Sequence, residues 1–223
     1  MDELILSQDG SHTVLSNKFG VSYHSKYGAI QETQTVFLDA GFRYKCAGQP
    51  ENLSILEMGF GTGLNALMTL LDCPPDLNVE YHTLEAYPLK EDQYAALNYP
   101  DVLNLNDESK EAFLKMHECP SDNTIRLSTN FSFTKHLIKI EDFQTPKTFD
   151  VIYYDAFAPT SQEELWTEDM MQHVAKMCNP GAVLVTYCAK GSFKRALKAA
   201  GFTVEALDGP VGKREMTRVC KPS

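Results

Sequence analysis

Leu56-Glu57-Met58-Gly59-Phe60-Gly61-Thr62-Gly63-Leu64-Asn65 decides how this 223-residue chain is read. An apolar run leads into an acid, then into glycines at every second position, then into residues that favour a helix. Glycines at such a corner let the backbone turn tightly and approach a ligand, while the helix start offers free N–H groups. The spacing is E-x-G-x-G-x-G, and Leu64 stands where the dinucleotide pattern G-x-G-x-x-G has its third glycine, which disfavours a pyrophosphate cradle. Glu57 sets a carboxylate where an ammonium group could rest, which suits the methionine part of S-adenosyl-L-methionine.

Outward from this turn the chain alternates short apolar runs with longer helical spacings. Runs at residues 53–58, 79–84, 137–140, 149–154 and 182–187 are rich in β-branched or aromatic types and predict buried parallel strands. Leu64, Leu67, Met68 and Leu71, and then Leu165, Trp166, Met170, Val174 and Met177, recur at helical spacing and predict helices with one face against a sheet. Phe193 and Leu197 continue the pattern in a helix that Gly201 ends. Such alternation builds an α/β sheet covered on both faces, with its ligand crevice at the carboxyl ends of the strands. Residues 1–50 read differently, as short polar-apolar alternations between glycines with a short helix around 33–39. They are expected to form a small extension packed on a catalytic domain spanning 51–223.

Composition excludes several classes. With 43% hydrophobic and 22% charged residues the chain is neither disordered nor collagenous. No apolar stretch approaches the roughly 20 residues of a membrane helix, and the start lacks a basic signal-peptide region, so a cytoplasmic location is expected. Six cysteines without a C-x-x-C pair and six scattered histidines predict reduced thiols and no metal site. Thirty acids against 20 bases give a net charge of −10, which discourages indiscriminate binding to nucleic acid. Residues 190–223 nevertheless carry eight bases and three acids.

Further carboxylates stand at three predicted strand ends. Glu85 lies 22 residues beyond Gly63, close to the offset at which an acid accepts hydrogen bonds from ribose hydroxyls. Glu141-Asp142 follows the third run and suits an acceptor for an adenine amino group. Asp155 ends the fourth run and breaks into Ala156-Phe157-Ala158-Pro159, beside the expected cofactor methyl group. A carboxylate there can orient an amine and accept its proton, with Phe157 as a flat apolar wall for a base.

Together, the glycine turn, Leu84-Glu85-Ala86-Tyr87-Pro88-Leu89, Tyr154 to Pro159 with Leu165-Trp166, and Gly212-Lys213-Arg214-Glu215-Met216 resemble the methyltransferase part of the MnmC family, also found as stand-alone MnmD. The run Tyr23-His24-Ser25-Lys26-Tyr27-Gly28 with Glu32-Thr33 and Val36-Phe37-Leu38 is similar to that family's entry segment. The resemblance covers most of the chain. It implies a Rossmann-like class I methyltransferase fold and methylation of 5-aminomethyl-(2-thio)uridine to 5-methylaminomethyl-(2-thio)uridine at the tRNA wobble position. It also implies a cofactor pocket of Glu57, Gly59, Gly61, Gly63, Asn65, Glu85 and Asp142, with Asp155 holding the substrate amine. Phe157, Pro159, Tyr23 and Ser25 are then substrate-side residues, and Lys213 and Arg214 meet anticodon phosphates or pair within the protein. No second glycine-rich turn accompanies the first, so the oxidase half of the fused enzymes is expected to be a separate partner if it acts at all. Small-molecule amine methyltransferases, aminopropyltransferases and a non-catalytic cofactor- or RNA-binding module are the competing readings.

Overall fold

The computed structural model describes residues 3–222. The chain opens with a three-stranded antiparallel meander, β1 (Glu3–Leu6), β2 (His12–Ser16) and β3 (Val21–Ser22). Helix α1 (Ala29–Thr33) then runs without a break through a wide π-helical stretch, Gln34–Arg43, into α2 (Tyr44–Cys46). The short helix expected around 33–39 is therefore the middle of a longer one. Its buried residues Ala29, Val36, Phe37, Leu38 and Phe42 show why, because one continuous apolar stripe lies against the sheet.

The main sheet begins with β4 (Asn52–Met58), the glycine turn and α3 (Leu64–Asp72), followed by β5 (Asn78–Leu84). Helices α4 (Glu91–Tyr94), α5 (Tyr99–Val102) and α6 (Asp107–Glu118) lead to β6 (Thr124–Ser128) and β7 (Phe131–His136). Next come β8 (Phe149–Tyr154), a 3-10 turn (Glu163–Trp166), α7 (Glu168–Lys176), β9 (Cys178–Thr186) and α8 (Gly191–Ala199). An antiparallel hairpin of β10 (Thr203–Asp208) and β11 (Glu215–Cys220) completes the sheet.

The third strand departs from the sequence expectation. Residues 137–140 lie after β7 rather than within a strand, and Leu137 is exposed. The true strand, Phe131-Ser132-Phe133-Thr134-Lys135-His136, is paired with β5 on one edge and β6 on the other, but only Phe131 and Phe133 face the apolar core, so alternation denies it the look of a wholly apolar run.

The eight strands order as β10-β11-β9-β8-β4-β5-β7-β6, with the five central strands parallel. From β4 the chain first moves one way, to β5 and β7, then returns to β8 and β9 on the other side. The reversal falls between β4 and β8, so the helices and loops diverge there and open a crevice above the strand ends.

Alternation along the strands divides the core. Leu53, Ile55, Val151, Tyr153, Val183 and Val185 face the side covered by residues 29–46, α3 and α6, whereas Leu56, Met58, Ile152, Tyr154 and Leu184 face α7 and α8. The N-terminal helix is thus one of the covering elements of the sheet. Phe37, 1% exposed and packed on Tyr153, is expected to be a keystone of that layer: Phe37→Ala should cost about 3–5 kcal/mol in urea denaturation.

Candidate active site

The crevice is floored by Met58, Gly59, Phe60, Gly61 and Thr62 from the turn after β4, walled by Leu84 to Tyr87 after β5 and by Ile138 to Glu141 after β7, and closed by Asp155, Ala156 and Phe157 after β8. Tyr23 and His24 reach it from the N-terminal segment. At Gly59, with φ of 89°, a Cβ would stand 2.6 Å from the Asp155 carbonyl oxygen. Only glycine lets the turn run this close to the end of β8.

Glu85 is buried, and both oxygens are engaged by backbone: Oε2 accepts from Gly61 N–H at 2.7 Å and Oε1 from Tyr87 N–H at 2.6 Å. Burial raises its pKa, opposed by those hydrogen bonds and by Lys135. Each oxygen keeps a further lone pair, so Glu85 is a rigid acceptor aimed into an otherwise apolar wall of Met58, Leu84, Ile138 and Ile140. A fixed pair of acceptor oxygens beside an apolar wall fits the ribose hydroxyls and base of an adenosine moiety.

Asp155 is held on two sides. Its backbone N–H donates to the Met58 carbonyl at 3.1 Å, and its Oδ2 accepts from Asn65 Nδ2 at 2.9 Å. Asn65 is in turn fixed by Thr33 Oγ1, which donates to Asn65 Oδ1 at 2.8 Å. Burial, followed by the nearby Glu32, pushes the Asp155 pKa up to about 7, while Asn65 and Lys213 pull it down. Asn65 therefore orients the carboxylate at the crevice instead of lining the crevice itself.

The loop after Asp155 is tied by residues that the sequence marked only as a pattern. Trp166 Nε1 donates to the Phe157 carbonyl at 2.9 Å, Phe157 N–H donates to Gln162 Oε1 at 3.2 Å, and Tyr187 O–H donates to the Ala156 carbonyl at 2.7 Å. The ring of Phe157 packs against Phe19 at 4.7 Å and Tyr23 at 5.1 Å, and Phe19 touches Tyr87 at 5.7 Å. Lys18 Nζ lies 3.3 Å from the centroid of Tyr87. The mouth is thus a set of aromatic faces with the Lys18 ammonium among them.

Several expected residues stand elsewhere. Asp142 lines a separate cavity with His82, His136 and Lys147, so its expected place beside the adenine site is corrected. The tight turn buries Ile140 and Phe143 and sends neighbouring residues to opposite sides, leaving Glu141 as the acid at the crevice. Glu57 shares the strand face of Leu53 and Ile55, so alternation points it beneath α3 and not into the crevice. It is fully buried, and Thr83, Asn65 and Tyr81 approach without forming a well-shaped hydrogen bond to either oxygen. Gly63 starts α3, Pro159 bends the loop beyond Phe157, and Ser25 donates its N–H to Glu32 Oε2 at 2.8 Å. Lys213 pairs with that same Glu32, while Arg214 is exposed at the hairpin tip. Phe19 and Tyr187 escaped the sequence reading, while His24 and Glu32 stood there only as members of the entry segment with no role of their own.

A central parallel sheet reversed between β4 and β8, a glycine turn after β4 and a rigid acid after β5 form the crevice of a nucleotide-binding α/β fold. A family profile described as S-adenosyl-L-methionine-dependent methyltransferase matches residues 104–222, and the chain belongs to that family. The chain is 32% identical to the tRNA 5-methylaminomethyl-2-thiouridine biosynthesis bifunctional protein MnmC of Cupriavidus metallidurans, over 96% of this chain and 33% of the relative. The protein of the same name from Ectopseudomonas mendocina is 30% identical over 91% of this chain and 32% of its own length. The chain thus spans about a third of the curated relatives that it matches. The crystal structure of MNMC2 from Aquifex aeolicus superposes with a TM-score of 0.81 at 25% identity, covering all of this chain and 72% of that one.

Glu57 yields a prediction about stability. Burial raises its pKa to about 8, so between its ordinary value of 4.5 and about 8 the folded chain binds a proton that the unfolded chain releases. Stability should therefore fall as pH rises through that window. Glu57→Gln is expected to flatten the decline, which thermal melts from pH 5 to 8.5 would show.

Proposed function

We propose that this chain transfers the methyl group of S-adenosyl-L-methionine to the primary amine of 5-aminomethyl-(2-thio)uridine at the wobble position of tRNA. The observation that carries the reading is Asp155, a carboxylate held by Asn65 at the crevice end and flanked by the aromatic faces of Phe157, Tyr23 and Phe19. The sequence likeness to the MnmC proteins, whose names state that modification, supports it.

The bound cofactor supplies an electrophilic methyl carbon, with Glu85 and the glycine turn as its holding residues. Everything else belongs to the chain. An alkylamine reaches the site as an ammonium ion, which cannot attack carbon because its lone pair is used. The Asp155 carboxylate attracts that cation, accepts its N–H and takes the departing proton, leaving the lone pair aimed along the crevice. The nitrogen–carbon bond forms as the donor's sulfur–carbon bond breaks. A pKa near 7 suits the task, since the group is ionised enough to receive a cation and basic enough to keep its proton.

A uridine lifted out of its stack would lie against Phe157 and its aromatic neighbours. With a net charge of −10, the chain gains its hold on RNA from such stacking and from local cations such as Lys18 and the bases beyond residue 190, more than from its overall field. Among the described residues no helix is long and apolar enough to cross a membrane. A tRNA substrate places the enzyme in the cytoplasm. The amine that it methylates requires a separate activity, such as an oxidase, to uncover it from any carboxymethyl precursor.

The test incubates the protein and cofactor with tRNA from cells lacking the modification, then weighs the digested nucleosides. A gain of one methylene unit on the aminomethyluridine supports the reading; a gain on a small amine and none on tRNA overturns it. Asp155→Asn, folded by circular dichroism, is expected to lose at least about 100-fold in rate. In the wild type kcat/KM should fall on the acid side of about pH 7, as Asp155 becomes protonated.

A further inference from the structure

Asp155 has a second ionic neighbourhood, built by parts of the chain far from the glycine turn. Glu32 on α1 is 4% exposed; one carboxylate oxygen accepts from Ser25 N–H and the other pairs with Lys213 Nζ. Lys213 sits in the loop between β10 and β11, with its ammonium 3.8 Å from the centroid of the Tyr187 ring. Tyr187 is the same residue whose hydroxyl donates to the carbonyl of Ala156, the neighbour of Asp155. The loop is pressed into place at Gly212, where φ is 86° and a Cβ would stand 2.1 Å from the Tyr27 ring.

A buried carboxylate, an aromatic face and a second carboxylate close by make up a receptor for an alkylammonium ion. In the free protein that receptor already holds one, on the Lys213 side chain. We propose that Glu32 is the second carboxylate of the substrate-amine site and that Lys213 is its resident counter-ion, which the ammonium group of the substrate displaces from Glu32 and the Tyr187 ring. The proposal rests on the amine reading above and names the group that would otherwise be missing from it, a second negative charge for a cation that must be drawn out of water. A single buried carboxylate offset by a permanent lysine would present little net charge to an incoming ammonium, whereas Asp155, Glu32 and Lys213 with both acids ionised carry one net negative charge, and an ammonium that replaces Lys213 leaves that balance unchanged. Buried charges left unpaired are costly, which is why the resident cation is needed between turnovers.

Asp155 reports on the arrangement. It is faced by Glu32 from α1, Lys213 from the β10–β11 loop, Glu57 from the end of β4, Tyr81 from β5 and Tyr187 beyond β9, with His24 in the field of Glu32 and Lys213. Glu32 raises its pKa and Lys213 lowers it. In protein carrying 13C-labelled aspartate carboxyls, with the Asp155 signal assigned by its loss in Asp155→Asn, Glu32→Gln should move the Asp155 midpoint down and Lys213→Met should move it up, each by about one pH unit. The double variant should return it towards the wild-type value. Shifts that are absent or run in the same direction overturn the proposal. This titration needs no substrate, so it stands apart from the identity of the RNA.

The second measurement takes the ratio of affinities for tRNA bearing the aminomethyl group and for the same tRNA with plain uridine, so that phosphate contacts cancel. Glu32→Gln is expected to bring the ratio towards one, and Lys213→Met to raise it severalfold because no resident cation competes. A ratio unchanged in Glu32→Gln, or lowered in Lys213→Met, also overturns the proposal. Opposite Asp155 shifts combined with a wild-type ratio of one would keep the cation receptor and remove the tRNA reading.

Discussion

The hydrogen bond from the Asp155 amide to the Met58 carbonyl joins the two strands at which the sheet reverses direction. Nearly everything in the site follows from it. β4 and β8 must lie side by side and parallel for that contact to form, and the turn after Met58 can then pass Asp155 only where residue 59 carries no side chain. The same register sets the glycine turn and the Asp155 carboxylate at adjacent strand ends. The two are therefore brought together by backbone pairing in the middle of a buried sheet, the most rigid place available to the fold.

Around that point the structure spends its polar groups on orientation. Thr33 holds Asn65, Asn65 holds Asp155, and Trp166, Gln162 and Tyr187 hold the two residues that follow, Ala156 and Phe157. Glu85 plays the matching part on the cofactor side by gripping two backbone amides. A methyl transfer asks for alignment more than for strong acid–base chemistry, and fixed rotamers supply alignment.

How much of this was legible in the sequence depends on the range of the signal. The glycine turn, Glu85 and Asp155 were readable because each is fixed by its own strand end and a short motif. Glu57 was misplaced because a motif carries no face, and only counting by twos along β4 shows that it points with Ile55 into the core. Asp142 failed by one residue, since the turn after β7 sends adjacent side chains apart. The strand at 131–136 was hidden by its mixed polarity, and the long N-terminal helix by a stripe whose partner surface lies more than 100 residues away. Lys213 was read with two possible uses, and nothing near it in the chain points to Glu32.

That last pair links residues 181 positions apart. A site closed by so distant a contact cannot be complete while the chain is still being made, because the crevice and Asp155 are both synthesised before the hairpin that carries Lys213. Until that hairpin docks, Glu32 lacks its ammonium partner, while the N-terminal segment is held to the core by contacts such as Thr33 with Asn65 and His24 with Thr62. The order of synthesis therefore makes the Glu32–Lys213 pair one of the last contacts of this layer to form, because it waits for the hairpin at residues 203–220.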